Sequence, residues 1–196
     1  MPAEWEPHEG TWLAWPHNRE HWPGKFEPIP KTYVAIIKAL ASSERVFVCV
    51  NDAVMEREAR TVLEDGNVPL RQVDFFHIPT NASWSRYHGP MFVTQFSPPL
   101  VGGARGGGDQ GLTVLDWGYN GNGKKWGPTD LDDAVPEKIA ELRDLPLVSP
   151  PMILEGGSIE VNGRGTLITT ASCLLNENRN PQLNREQIEG YLREHL

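Results

Sequence analysis

Apolar positions along this chain keep two rhythms, one recurring every third or fourth residue and one every second, and an element ends where the rhythm changes. Residues 5–30 keep neither; they are rich in Trp, His and Pro, with one short buried strand read at Thr11-Trp12-Leu13-Ala14-Trp15 and then a loop. Tyr33, Val34, Ile36, Ile37 and Leu40 fall on one helical face and predict an amphipathic helix over residues 31–40. Arg45-Val46-Phe47-Val48-Cys49-Val50 is a continuous run dominated by β-branched residues, the pattern of a buried strand. Asp52 is placed to cap a second helix reaching about residue 63, with Val54, Ala59, Val62 and Leu63 turned inward. Residues 73–78 read as another strand.

The second half of the pattern is more broken. Residues 84–90 read as a loop and 91–96 as a strand. The stretch 98–111, with Gly102-Gly103-Ala104-Arg105-Gly106-Gly107-Gly108, reads as a mobile hairpin tip; no Lys-Ser or Lys-Thr follows, so it is not a phosphate loop. A strand over 112–117 precedes a helix from Asp130 or Leu131 to about residue 143, and a short strand is expected near 152–154. Residues 158–170 form a predicted hairpin in which Ile159 and Val161 alternate with polar residues, Asn162-Gly163 turns, and Leu167-Ile168 return. Asn184 with Gln187 makes a capping box for a last helix from Arg185, carrying Ile188, Tyr191 and Leu192 on one face. Intermixed helices and strands place the chain in the α/β or α+β class, and the absence of GxGxxG counts against a dinucleotide-binding fold. A helix that closes the chain with an apolar face ready to pack leads to the expectation that further protein follows.

Composition narrows the function classes. A net charge of −8 argues against nucleic acid and anionic membrane as partners, since both recruit a basic face. No apolar run approaches a membrane span, and the acidic start Met1-Pro2-Ala3-Glu4-Trp5-Glu6 is unlike a signal peptide. Two cysteines, Cys49 and Cys173, are too few for a disulfide framework, so a cytoplasmic location is expected. Cys49 sits inside an apolar strand run, the place of an inert core thiol, and Cys173 lies near a helix start beside Leu174-Leu175, where packing is also the favoured role. His17 and His21 have helical metal-ligand spacing, but Pro16 and Pro23 flank them and no further ligand completes a set, so no metal is expected.

Three segments carry more than pattern. They are Met1-Pro2-Ala3-Glu4-Trp5-Glu6-Pro7-His8-Glu9-Gly10-Thr11-Trp12-Leu13-Ala14-Trp15-Pro16 at the start, Asn81-Ala82-Ser83-Trp84-Ser85-Arg86-Tyr87-His88-Gly89-Pro90 with Asp116-Trp117-Gly118-Tyr119-Asn120, and Leu154-Glu155-Gly156-Gly157-Ser158-Ile159-Glu160-Val161-Asn162-Gly163 running on to Cys173-Leu174-Leu175-Asn176-Glu177-Asn178-Arg179-Asn180-Pro181. In this order and spacing the chain resembles the N-terminal portion of agmatine deiminases and their bacterial peptidylarginine deiminase relatives. The resemblance implies a pentein-type α/β propeller, present here as a single domain over residues 1–196 with roughly two to three of its five units. It also implies a hydrolase of linear amidines that turns agmatine into N-carbamoylputrescine and ammonia in putrescine biosynthesis, a branch of polyamine metabolism. A Cys thiolate attacks the guanidinium carbon in that family and a His-activated water releases the product, without cofactor. The alternative implied activity is that of a protein-arginine deiminase.

The chemistry sets clear demands. A guanidinium stays protonated and presents a rigid fork of donors, so its site needs carboxylates in the plane of that fork, a nucleophile perpendicular to it and an acid/base group. Matched to the family motifs, Glu155 is the catalytic carboxylate that holds the guanidinium or the catalytic His, and Trp84 walls the substrate pocket. Tyr87 stands where the family carries an Asp, and Ala82 where it carries another acid. Losing one member of a buried charged pair costs about 3–5 kcal/mol, which predicts severe loss of binding and turnover. The family's His-Asp pair and nucleophilic Cys are expected beyond residue 196. The rival reading is a catalytically inactive pentein that binds a guanidino or amine ligand, such as agmatine. Read by themselves, Glu155 is more simply a surface turn acid, His88 a loop hydrogen-bonder, and Trp117 and Asn120 packing residues. Unpaired edges of a partial propeller lead to an expected self-association, or pairing with a complementary C-terminal half.

Overall fold

This computed structural model describes residues 1–94 and 111–196. The chain divides into two compact units, one of residues 7–85 and one combining residues 1–6 with 86–196.

The unit of residues 7–85 is built around a parallel sheet. Strands β1 (Gly10–Ala14), β2 (Arg45–Val50) and β3 (Val73–His77) lie in that order, with helices α1 (Ile29–Leu40) and α2 (Ala53–Asp65) as the connections that parallel pairing requires. The continuous apolar run of β2 has its explanation here: both of its faces are covered. Val46, Val48 and Val50 pack with Ile37 of α1 and with Ala59 and Leu63 of α2. On the opposite face the ring of Phe47 lies 4.9 Å from that of Trp12, which is 5.1 Å from Phe76. Helix α1 starts at Ile29, ahead of the predicted residue 31, because Pro30 fits the first turn, where no backbone donor is needed. Asp52 caps α2 as predicted, its Oδ1 accepting from the backbone N–H of Val54 at 2.8 Å and of Met55 at 2.9 Å. Val54, expected inward, is 54% exposed; it sits in the first turn on the solvent side, and Met55 packs on the core instead.

The other unit carries a mixed sheet. The chain enters it through α3 (Ser85–His88), a single turn within what reads in the sequence as a loop. Strand β4 (Met91–Thr94) pairs antiparallel with β5 (Leu112–Leu115), and the expected strand residues Gln95 and Phe96, like the glycine run from Gly102 to Gly108, lie outside the described residues. A short segment α4 (Gly121–Lys124) follows, then α5 (Asp130–Asp133) and α6 (Val135–Leu142). The single helix expected over 130–143 is thus divided at Ala134, one residue before α6 restarts with Pro136 in its first turn. Strand β6 (Leu147–Val148) joins β5 in parallel, whereas residues 152–154, expected as a strand, make only an isolated bridge between Ile153 and Gly118.

The predicted hairpin is β7 (Ile159–Val161) with β8 (Leu167–Thr169), closed by a loop in which Asn162 Oδ1 accepts from the N–H of Arg164 and Thr166. Gly163 has φ +68° there, a conformation that excludes most side chains. After α7 (Ala171–Leu174) comes α8 (Arg185–His195), with the capping box between Asn184 and Gln187 in place. Ile188 and Leu192 of α8 bury against Met91, Leu115, Trp117, Met152, Leu154 and Ile159, and Tyr191 packs beside them. Among the described residues no helix is long and apolar enough to cross a membrane.

Cys49 is a buried core residue on β2, and burial pushes its thiol from 9.0 up to about 12. Between those values the unfolded chain releases a proton that the folded chain keeps. Stability is therefore predicted to be untouched by this group below pH 9.0 and to fall as pH rises through the window to about 12. Urea unfolding midpoints across that range test this: the Cys49→Ala variant should lose less stability with rising pH than the parent, and parallel profiles would refute the assignment.

Candidate functional site

Glu155 is set in place by its main chain before its side chain acts. The residues ahead of it, Met152 to Leu154, are held on both sides. Gly118 donates its N–H to Met152 O at 3.1 Å and accepts from Leu154 N–H at 3.1 Å. From the other side the buried Asn180 accepts from Ile153 N–H at 2.9 Å and donates through Nδ2 to Ile153 O at 3.0 Å. One side chain thus replaces a neighbouring strand. Beyond Glu155 the chain turns, and the backbone N–H and hydroxyl of Ser158 both donate to Glu155 O, at 2.8 and 2.7 Å.

The Glu155 carboxylate is 1% exposed as a residue, which overturns the surface-turn reading. A buried carboxylate needs a charged or hydrogen-bonding partner. Arg179 supplies it: its Nε–H donates to Oε1 at 3.0 Å and to Oε2 at 2.8 Å, while Nη1 lies 3.5 Å from the carbonyl oxygen of Cys173. Gly156 and Gly157 let a second segment approach. A Cβ on Gly156 would stand 2.5 Å from Arg86 O, and one on Gly157 2.5 Å from Cε1 of Tyr87. The Tyr87 ring therefore lies on Gly157 and the Arg86 backbone on Gly156, and glycine allows both approaches.

Behind these residues lies a buried polar group that the sequence did not announce. His88 Nε2 is 3.7 Å from Asp132 Oδ1, and both side chains are 1% exposed. The ring of Tyr119 is 5.9 Å from that of His88. Burial raises the Tyr119 phenol to about 12, and the negative charges of Asp132 and Glu155, with Tyr87, add to the shift. His88, expected as a loop hydrogen-bonder, is thus part of a buried acid–imidazole pair. Trp117 packs in the core, as expected, and Asn120 both accepts from Gly123 N–H at 3.0 Å and donates to Asn178 O at 2.8 Å.

Of the sequence-predicted site residues, Glu155 and Tyr87 fall in one unit. Trp84 belongs to the other, where its ring lies tilted against that of Trp22 with centroids 4.6 Å apart, and Ala82 is buried there as well. Among the described residues no group of three or more His, Cys, Asp or Glu could hold a metal ion. Arg179, Asn180, Asp132 and Tyr119 escaped the sequence reading as site residues. Arg179 and Asn180 stood inside a quoted motif, but nothing local assigns a partner to an Arg between two asparagines. Asp132 stands between Asp130 and Asp133 near a helix start, and nothing local in the sequence singles it out.

Asn180→Ala strands the N–H and C=O of Ile153 in the interior, at about 1–3 kcal/mol for each group left unpaired. The variant is expected to unfold at clearly lower urea concentration than the parent; an unchanged midpoint would show that the clamp contributes nothing.

A model of the Porphyromonas-type peptidyl-arginine deiminase family matches residues 1–196. Agmatine deiminase of Ectopseudomonas mendocina is 41% identical over 201 residues, covering 100% of this chain and 50% of that protein. Agmatine deiminase of Medicago truncatula is 36% identical over 204 residues with the same coverage, 100% and 50%. Among solved structures, agmatine deiminase of Enterococcus faecalis matches with a TM-score of 0.84 and 31% identity over 100% of this chain and 50% of that one. A cysteine-to-serine variant of C. jejuni agmatine deiminase with substrate bound matches with a TM-score of 0.78 and 30% identity, over 99% and 52%. The chain spans about half the length of the curated relatives it matches. The shared fold is the α/β pentein fold of these deiminases. Because the family match leaves no part of the sequence outside it, the chain belongs to the Porphyromonas-type peptidyl-arginine deiminase family.

Proposed function

We propose that this chain is the N-terminal portion of an agmatine-deiminase-like hydrolase, which uses water to convert agmatine into N-carbamoylputrescine and ammonia. Relatives named agmatine deiminase that align with the whole chain at 36–41% identity support the reaction class. The observation that carries the site is the buried Glu155 carboxylate, already matched to a guanidinium by Arg179. A carboxylate has about four acceptor positions, so Glu155 can take a second planar donor set. In this reading Glu155 orients the substrate's guanidinium or the catalytic His, Trp84 walls the pocket, and the nucleophilic Cys and its His-Asp partners come from the remaining half of the protein. In this reading the chain supplies roughly two to three of the five repeats of a pentein propeller.

Tyr87 favours a second reading. It stands where the family motif carries an Asp, its ring rests on Gly157, and a phenol offers a guanidinium no carboxylate to pair with. That observation fits a pentein that binds a guanidino or amine ligand without turnover.

A colorimetric ureido assay with agmatine separates the two. The chain alone is expected to be inactive. A version carrying Tyr87→Asp and Ala82→Asp, joined to a complementary C-terminal half, is expected to be active and to lose about two to three orders of magnitude on Glu155→Gln. A well-folded extended version without ureido product would leave the binding reading in its place.

A further inference from the structure

Arg179 is held from several directions at once. Its own N–H donates to Asn176 O at 2.9 Å, and its neighbours Asn178 and Asn180 are fixed by Asn120 and Ile153. Its guanidinium lies against α4, where Gly121, Asn122, Gly123 and Lys124 all have φ between +57° and +75°. Gly121 and Gly123 adopt this conformation freely and Asn122 tolerates it, so Lys124 is the costly member of the turn. A Cβ on Gly121 would collide with Trp126 O, and one on Gly123 would stand 3.0 Å from Arg179 Nη1, so glycine at 123 lets the turn come close to the guanidinium as its seat.

The contact that the seat produces is directional. A single Nε–H faces both oxygens of Glu155 almost equally, at 3.0 and 2.8 Å. The terminal torsion of Glu is soft and roughly two-fold, so a donor centred between the oxygens fixes the plane of the carboxylate as well as its charge. A lysine ammonium in the same place would be a rotatable point donor without that directional hold.

We propose that Arg179 is a positioning residue that sets the orientation of the Glu155 carboxylate, with α4 as the wall that holds Arg179. The proposal rests on the reading of Glu155 as the acceptor for substrate or catalytic His. Its test reads the carboxylate itself, so that failure of turnover and failure of positioning are seen separately. The chain labelled with ¹³C in the glutamate side-chain carboxyl carbon is examined by NMR, with the Glu155 signal assigned through Glu155→Gln. The parent should give one narrow Glu155 resonance. Arg179→Lys should shift and broaden it, although the charge is retained. In Arg179→Ala, methylguanidinium should return it to the parent position in a saturable manner, and at about tenfold lower concentration than methylammonium. An unchanged resonance in Arg179→Lys, or equal rescue by the two cations, overturns the proposal. Should Arg179→Ala not fold, Arg179→Lys decides alone.

Discussion

The ion pair between Glu155 and Arg179 is the constraint around which its unit is arranged. Neither charge could be buried alone, because removing a carboxylate or a guanidinium from water costs several kcal/mol that only a close, well-directed partner offsets. The partners are 24 residues apart in the chain, so each must be brought to the other by rigid neighbours. On the Glu155 side those neighbours are Gly118 and Asn180, which grip the preceding residues, and Ser158, which closes the turn after it. On the Arg179 side they are the left-handed turn of α4 and the asparagines on either side of it.

This arrangement explains features that look unrelated in isolation. Gly156 and Gly157 are small because the backbone of Arg86 and the ring of Tyr87 come too close for any Cβ. Asn180 is buried because it satisfies a peptide group that has no strand beside it. Tyr119 is a poor acid because burial disfavours its phenolate, and the charges of Asp132 and Glu155 add to that.

The other unit follows simpler rules. Its central strand β2 is covered on both faces, by valines against helices and by aromatic rings on the far side, and it needs no buried ion pair to hold its position. Its strands and helices were therefore legible from periodicity, with errors confined to ends such as Ile29 and the exposed Val54. Where the second unit departs from its reading, at Ala134 and at Ile153, the backbone obeys a proline and an asparagine clamp that no hydrophobic period encodes.

What the sequence determined by itself was the set of elements with strong periods, their caps at Asp52 and Asn184, the core place of Cys49, and the family to which the motifs belong. These depend on residues near one another in the chain, or on motifs that survive as strings. The tertiary structure alone decided that Glu155 is buried, that Arg179 holds it, that His88 meets Asp132, and that Tyr87 lies on Gly157. The physical reason is range: hydrophobic periodicity is written within a few turns of chain, whereas the partner of a buried charge is chosen by which distant segments the core brings within about 3 Å of it.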